Sequence, residues 1–243
     1  MVCSGTTPWK IEFKSNCHMT TLLESIVVEP AAPANAAVIW MHGLGADGHD
    51  FEPVVPEFDL PPSLHVRFIF PHAPYRPITI NGGHVMRGWY DIAELNSLRQ
   101  EDAVGIRASA HAIEALLAQQ IASGIPAQRI ILAGFSQGAA LALHTALRYP
   151  QLLAGIIALS GYLPLVASFP AEAHSANART PIFLAHGTDD QVVPLHLGEN
   201  TRAVLERNNY VVTWRTYPMP HSVCVQEIRD IAEFLSGRLS EEA

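Results

Sequence analysis

Five short runs along the chain are apolar at nearly every position: 37–41 (AVIWM), 66–70 (VRFIF), 130–133 (IILA), 155–159 (GIIAL) and 182–185 (IFLA). A strand with one wet face alternates polar and apolar residues. A run without alternation predicts a strand covered on both faces. The run 211–217 (VVTWRTY) is more mixed and is expected nearer a sheet edge. Between the runs lie segments of helical period. In 101–123, Val104, Ile106, Ala110, Ile113, Leu117 and Ile121 fall on one face, and Gly124 and Pro126 end the helix. Further helices are predicted over 139–149, 196–208 and 223–239, the last with Val225, Ile228, Ile231, Ala232 and Leu235 as its stripe. Strand and helix in this alternation predict an α/β fold with a mostly parallel central sheet and helices on both faces. No Pro/Ser-rich linker divides the chain, so a single domain over 21–243 is expected, with 1–20 as an N-terminal extension and Met19 as an alternative start. The stretch 71–98 is long, rich in Pro and Gly and without clear period, which marks a functional loop.

Composition narrows the function. The 243 residues are 49% hydrophobic and 16% charged, enough for a large core and too apolar for disorder. A formal net charge of -8 gives no electrostatic footprint for nucleic acid or anionic lipid. Cys3, Cys17 and Cys224 have no metal or disulfide spacing and suit a reducing compartment. No apolar segment follows a basic start, so no signal peptide is predicted. The longest apolar stretch, 155–168, is broken by Ser160, Gly161 and Pro164, which argues against membrane insertion. A cytoplasmic protein is the expectation.

The chemistry is concentrated where the third apolar run ends. Residues 134–138 read GFSQG, a Gly-x-Ser-x-Gly between a predicted strand and a predicted helix. A sharp strand-to-helix turn needs small flanking residues, here Gly134 and Gly138, and it lifts the serine hydroxyl of Ser136 above the sheet. A serine hydroxyl is a poor nucleophile at neutral pH; it needs a base, and the base needs an acid to orient it. Later strands supply both in the order this fold requires. The run 182–185 leads into His186-Gly187-Thr188-Asp189-Asp190, and 211–217 leads into Pro218-Met219-Pro220-His221. His221 is the candidate base. Asp190 is the preferred acid and Asp189 the fallback, because spacing does not separate them. Oxyanion donors are expected at the backbone N–H groups of Gln137, directly after the serine, and Leu44, in the Gly-rich WMHGLGADG after the first run. Gly43, Gly45 and Gly48 also fit GxGxxG, but no helix pattern starts there, which excludes a dinucleotide site.

With these pieces placed, the chain resembles the α/β-hydrolase superfamily. Within it the match is to the carboxylesterase/acyl-protein thioesterase family, also called phospholipase/carboxylesterase. The resemblance runs over about 37–239. It rests on HGLGADG, PHAPYRPITINGG followed by GWYDI, QEDAVGIRASAHAIEALL, GIPAQRIILAGFSQGAALALHTAL, LSGYLPL, HGTDDQVVPL and PHSV. It implies Ser136 as nucleophile, Asp190 as acid and His221 as base, with the amides of Leu44 and Gln137 as oxyanion donors. Two departures are mild: Ala139 stands where many members have a second Gly, and Gly161-Tyr162 where some have Cys-Trp. The family includes homodimers, so it admits one here.

The expected function is hydrolysis of carboxylic esters or thioesters through an acyl-enzyme, on a small ester or an acylated protein or lipid. No cofactor, metal, nucleic acid or stable membrane insertion is expected. Lysophospholipase activity and a catalytically inactive binding role are the alternatives. Ile78, Trp89, Leu163 and Val193 are the candidate acyl-binding residues, with Ile80 beside them; packing of the long loop explains such residues equally well. The apolar content of 71–98 and 161–170 points to medium or long acyl chains. His42, His72 and His186 are expected to pack beneath the site rather than bind metal. His84, Arg87 and Asp91 are placed either against substrate or at the surface, and Cys224 in a buried helix start.

Overall fold

The computed structural model describes residues 22–94 and 101–240. Strand β2 (Ala36–Met41) is buried at every position, and its side chains alternate between two cores. Ala37, Ile39 and Met41 join Ile130 and Leu132 of β6 (Ile130–Phe135) and Ile156 and Ala158 of β7 (Gly155–Leu159) on one face. Ala36, Val38 and Trp40 join Ile131, Ala133, Ile157 and Leu159 on the other. Neither face meets water, hence the unbroken apolar runs.

Together with β1 (Ser25–Val28), β3 (Val66–Pro71), β8 (Ile182–Gly187) and β9 (Val212–Tyr217), these strands form one sheet in the order β1-β3-β2-β6-β7-β8-β9. All pairings are parallel except that β1 runs antiparallel to β3. Helices α1 (Ala103–Ala122), α2 (Gln137–Arg148) and α4 (Leu195–Arg207) contribute to the first core. Helix α5 (Val225–Leu239) and the 3-10 turn Glu52–Phe58 cover the second. A single turn, α3 (Phe169–Glu172), links two loops. This is the doubly covered, mostly parallel sheet of one domain that the apolar runs predict.

Three differences from the sequence reading have physical reasons. The predicted stripes of α1 and α5 include Val104 and Val225, which lie in the first turns and are 81% and 64% exposed. Apolar contact of these helices with the core begins further along, at Ile106 and at Ile228. Strand β1 has only four residues, too short a pattern to stand out. The loop 71–98 contains a hairpin, β4 (Tyr75–Ile78) against β5 (His84–Arg87), turned through Gly82 and Gly83 at φ 67° and 79°. That hairpin lies outside the main sheet and shows little alternation, so its sequence reads as loop. The 95–100 part of the loop, the proposed extension 1–20, Cys3 and Cys17 fall outside the described residues.

Candidate active site

Ser136 sits between β6 and α2 with φ 56° and ψ −116°, a backbone conformation that costs a non-glycine residue about 1–3 kcal/mol. Packing holds it there. A Cβ at Gly134 would collide with the carbonyl of Gly138, and a Cβ at Gly138 with the carbonyl of Met41. Both flanking glycines are therefore required by the close approach of β2, β6 and α2. The Ser136 N–H donates to the Leu159 carbonyl at 2.8 Å, which ties the elbow to β7.

The loops after β8 and β9 bring an acid and an imidazole together. His221 Nδ1 donates to Asp190 Oδ2 at 2.7 Å. Asp190 Oδ1 accepts the N–H groups of Val192 and Val193 at 2.9 and 2.8 Å, and its side chain is wholly buried. The Asp189 side chain is exposed and makes no hydrogen bond to His221. The two loops are fastened to each other by Thr188 N–H to Tyr217 O and Asp189 N–H to Met219 O. The His221 ring packs on Phe135 at 4.7 Å between centroids, and His221 and Ser136 line one cavity of about 390 Å³. Among the described residues the Ser136 hydroxyl has no hydrogen-bond partner.

Two backbone N–H groups are free at the same cavity. That of Gln137 lies in the first turn of α2, where helix geometry offers no partner. That of Leu44 has none among the described residues. The Gln137 side chain is a clamp: Oε1 accepts from Trp89 N–H at 2.8 Å, and Nε2 donates to Tyr90 O at 2.7 Å. His42 supports the facing loop. Its Nδ1 donates to Gly43 O at 2.7 Å and its Nε2 accepts from Ala73 N–H at 3.1 Å. Burial pushes its pKa down to about 4, so the ring is neutral. His186 donates from Nε2 to Val193 O at 2.8 Å, backing the Asp190 loop, and burial likewise lowers its pKa.

The structure distributes the acyl-binding candidates unevenly. Val193 lines the cavity, and so does Ile80. Ile78, Trp89 and Leu163 do not: each is buried in the interior. Trp89 donates its indole N–H to His42 O at 2.9 Å, and so positions the Gly-rich loop. Ile92, Phe135, Tyr162 and Val192, which are not among the candidate acyl-binding residues, line the cavity from four separate segments. All four fall inside the motifs quoted above, GWYDI, GFSQG, LSGYLPL and HGTDDQVVPL, and Tyr162 lies in the stretch 161–170 whose apolar content points to the acyl pocket. Arg87 donates to Ala73 O, and Asp91 accepts from Thr79, so both brace the hairpin. Cys224 is half-buried at the α5 N-cap. Among the described residues no group of three or more His, Cys, Asp and Glu is arranged to hold a metal ion.

A mostly parallel sheet carrying a strand–serine–helix elbow, with an Asp–His pair on later loops, defines a protein of the α/β-hydrolase fold. Residues 22–239 match the phospholipase/carboxylesterase family, and the chain belongs to it. It is 43% identical over 227 residues to acyl-protein thioesterase 1 of Neurospora crassa, covering 90% of this chain and 93% of that one. Identity to acyl-protein thioesterase 1 of Gibberella zeae is 38% over 223 residues, 88% and 95% of the two chains. Among solved structures, Arabidopsis thaliana SOBER1 superposes with a TM-score of 0.80 at 31% identity, over 85% of this chain and 100% of that one. Acyl-protein thioesterase 2 of Zea mays superposes at 0.80 with 29% identity, over 89% and 99%. The protein is a hydrolase of the carboxylesterase/thioesterase class. No helix among the described residues is long and apolar enough to cross a membrane.

Proposed function

We propose that the protein cleaves fatty acyl esters or thioesters through a Ser136–His221–Asp190 triad and a covalent acyl-enzyme. Ser136 Oγ attacks the carbonyl carbon while His221 Nε2 takes its proton. The amides of Leu44 and Gln137 receive the developing oxyanion. Collapse of the tetrahedral species breaks the bond to the leaving alcohol or thiol, which takes the proton from His221. Water, deprotonated by the same nitrogen, then releases the acid. Asp190 keeps the Nδ1–H tautomer and stabilises the imidazolium.

The observation that carries this reading is the 2.7 Å Asp190–His221 hydrogen bond at the rim of the cavity that Ser136 shares. It fixes the proton on Nδ1 and leaves Nε2 as the base. The wall formed by Leu44, Ile80, Ile92, Val192 and Val193 suits an apolar acyl chain, and the relatives' names point to acylated proteins as the physiological class. Turnover of p-nitrophenyl esters and labelling by a fluorophosphonate probe test it. Ser136→Ala is expected to lose both, with kcat falling at least about 10³-fold. A well-folded wild type inert to the probe would instead favour a binding role.

A further inference from the structure

A second cavity of about 210 Å³ lies between the segment after β7 and helix α4, lined by Leu163, Val166, Leu197, Thr201 and Val204 together with the exposed Asn200 and Arg207. Among the described residues, one residue belongs to the walls of both this cavity and the one holding Ser136 and His221: Tyr162. Its placement is rigid. Ser160, at φ 48°, donates its N–H to Ala185 O at 2.8 Å on one side. Leu163 N–H donates to Thr201 Oγ1 at 2.8 Å on the other. Between them Gly161 is pressed so closely onto the elbow that a Cβ there would stand 3.0 Å from the Ser136 carbonyl oxygen. The Tyr162 hydroxyl is hydrogen-bonded at 3.1 Å to that of Tyr90, whose own carbonyl is held by Gln137. The ring is thus braced to the same elbow that carries the serine.

We propose that Tyr162 is the chain-length stop of the acyl cavity, a partition between it and the cavity along α4, which becomes available to longer chains once the ring is removed. The inference rests on the reading of Ser136 as nucleophile, which fixes where the acyl carbonyl lies. A chain leading away from Ser136 toward Tyr162 meets the ring. Beyond it Leu163, Val166, Leu197 and Val204 offer apolar surface beside the polar Asn200, Thr201 and Arg207, so methylenes admitted there leave water against the apolar side chains.

The test is the kcat/KM profile over p-nitrophenyl esters of increasing even chain length. In Tyr162→Ala the profile is expected to extend to longer chains, gaining about fourfold over wild type for each further methylene buried. Tyr162→Phe keeps the ring and is expected to keep the wild-type limit. Filling the second cavity in the open background, as Tyr162→Ala with Val204→Phe, is expected to pull the limit back. Tyr162→Leu gives a smaller extension and serves if the alanine variant melts below the assay temperature. An unchanged long-to-short ratio in both truncations, with the wild type active, overturns the stop alone. A wild type that hydrolyses no ester of the series removes the nucleophile assignment and the stop with it.

Discussion

Asp189 and Asp190 are adjacent, identical in type and equally plausible as turn formers in the sequence; burial is what separates them. Asp190 is enclosed and uses both oxygens, one for two backbone N–H groups and one for His221, whereas Asp189 faces solvent. Asparagine at 190 retains a carbonyl oxygen for Val192 and Val193 and turns an N–H₂ donor toward His221 Nδ1. The imidazole must then carry its proton on Nε2, where it cannot accept one from serine. Asp190→Asn is therefore expected to lower kcat by about 10⁴ while melting within a few degrees of wild type; Asp189→Asn should change neither. Gly138 is constrained more severely. With no room for a Cβ beneath the Met41 carbonyl, Gly138→Ala must shift β2 or α2, and is expected to cost about 2 kcal/mol or more of stability along with the labelling of Ser136. The positions of Ser136, Gly134 and Gly138 were legible because a strained turn admits few residue types. The wall residues Ile92, Phe135, Tyr162 and Val192 were not, because any apolar residue suits either a wall or a core.

Helices were located by their period to within two residues at either end, but their faces were read less well, since first-turn positions such as Val104 and Val225 share the period without reaching the core. Helix α5 also conceals a residue that no apolar pattern would assign inward. Glu227, in its first turn, is fully buried, and neither carboxylate oxygen has a hydrogen-bond partner. Burial, reinforced by Asp230, pushes its pKa up from 4.5 to about 8. The folded protein therefore holds a proton that the unfolded chain releases above about pH 4.5. Folded binds more protons than unfolded through this window, so the contribution of Glu227 to stability falls as pH rises from about 4.5 to about 8. Glu227→Gln keeps the shape and has no proton to lose. Thermal melts of the two proteins should lie closest near pH 5 and diverge toward pH 8, with the variant the more stable there by an amount on the order of a few kcal/mol. A constant separation across that range would show that the carboxyl is not held neutral.

At the scale of the molecule, loops that leave the carboxyl ends of β2, β6, β7, β8 and β9 gather at the cavity. These strands run parallel, so their carboxyl ends share one rim of the sheet. The fold class was legible because a sheet covered on both faces writes itself as unbroken apolar runs. Strand β1 was not, being short, antiparallel and on the edge. That edge position gives the assignment of 1–20 as an extension a sharp test. Among the described residues the sheet begins at Ser25, and the chain just before it is already anchored: Leu23 packs on the first core, and Glu24 O accepts His72 N–H at 2.8 Å. Removing 1–20 leaves β1 and each of these contacts in place. We expect such a chain to keep its turnover and to melt within about 2 °C of the full one. Removing 1–28 is a different change. It strips β3 of its partner from Phe68 to Pro71, uncovers the surface that Ile26 and Val28 protect, and leaves an unpaired apolar edge. An edge of that kind templates pairing with other chains, so the shorter protein should melt several degrees lower and aggregate on heating. If the two truncations behave alike, either 1–20 contributes to the fold after all or β1 does not, and activity measured beside the melts identifies which.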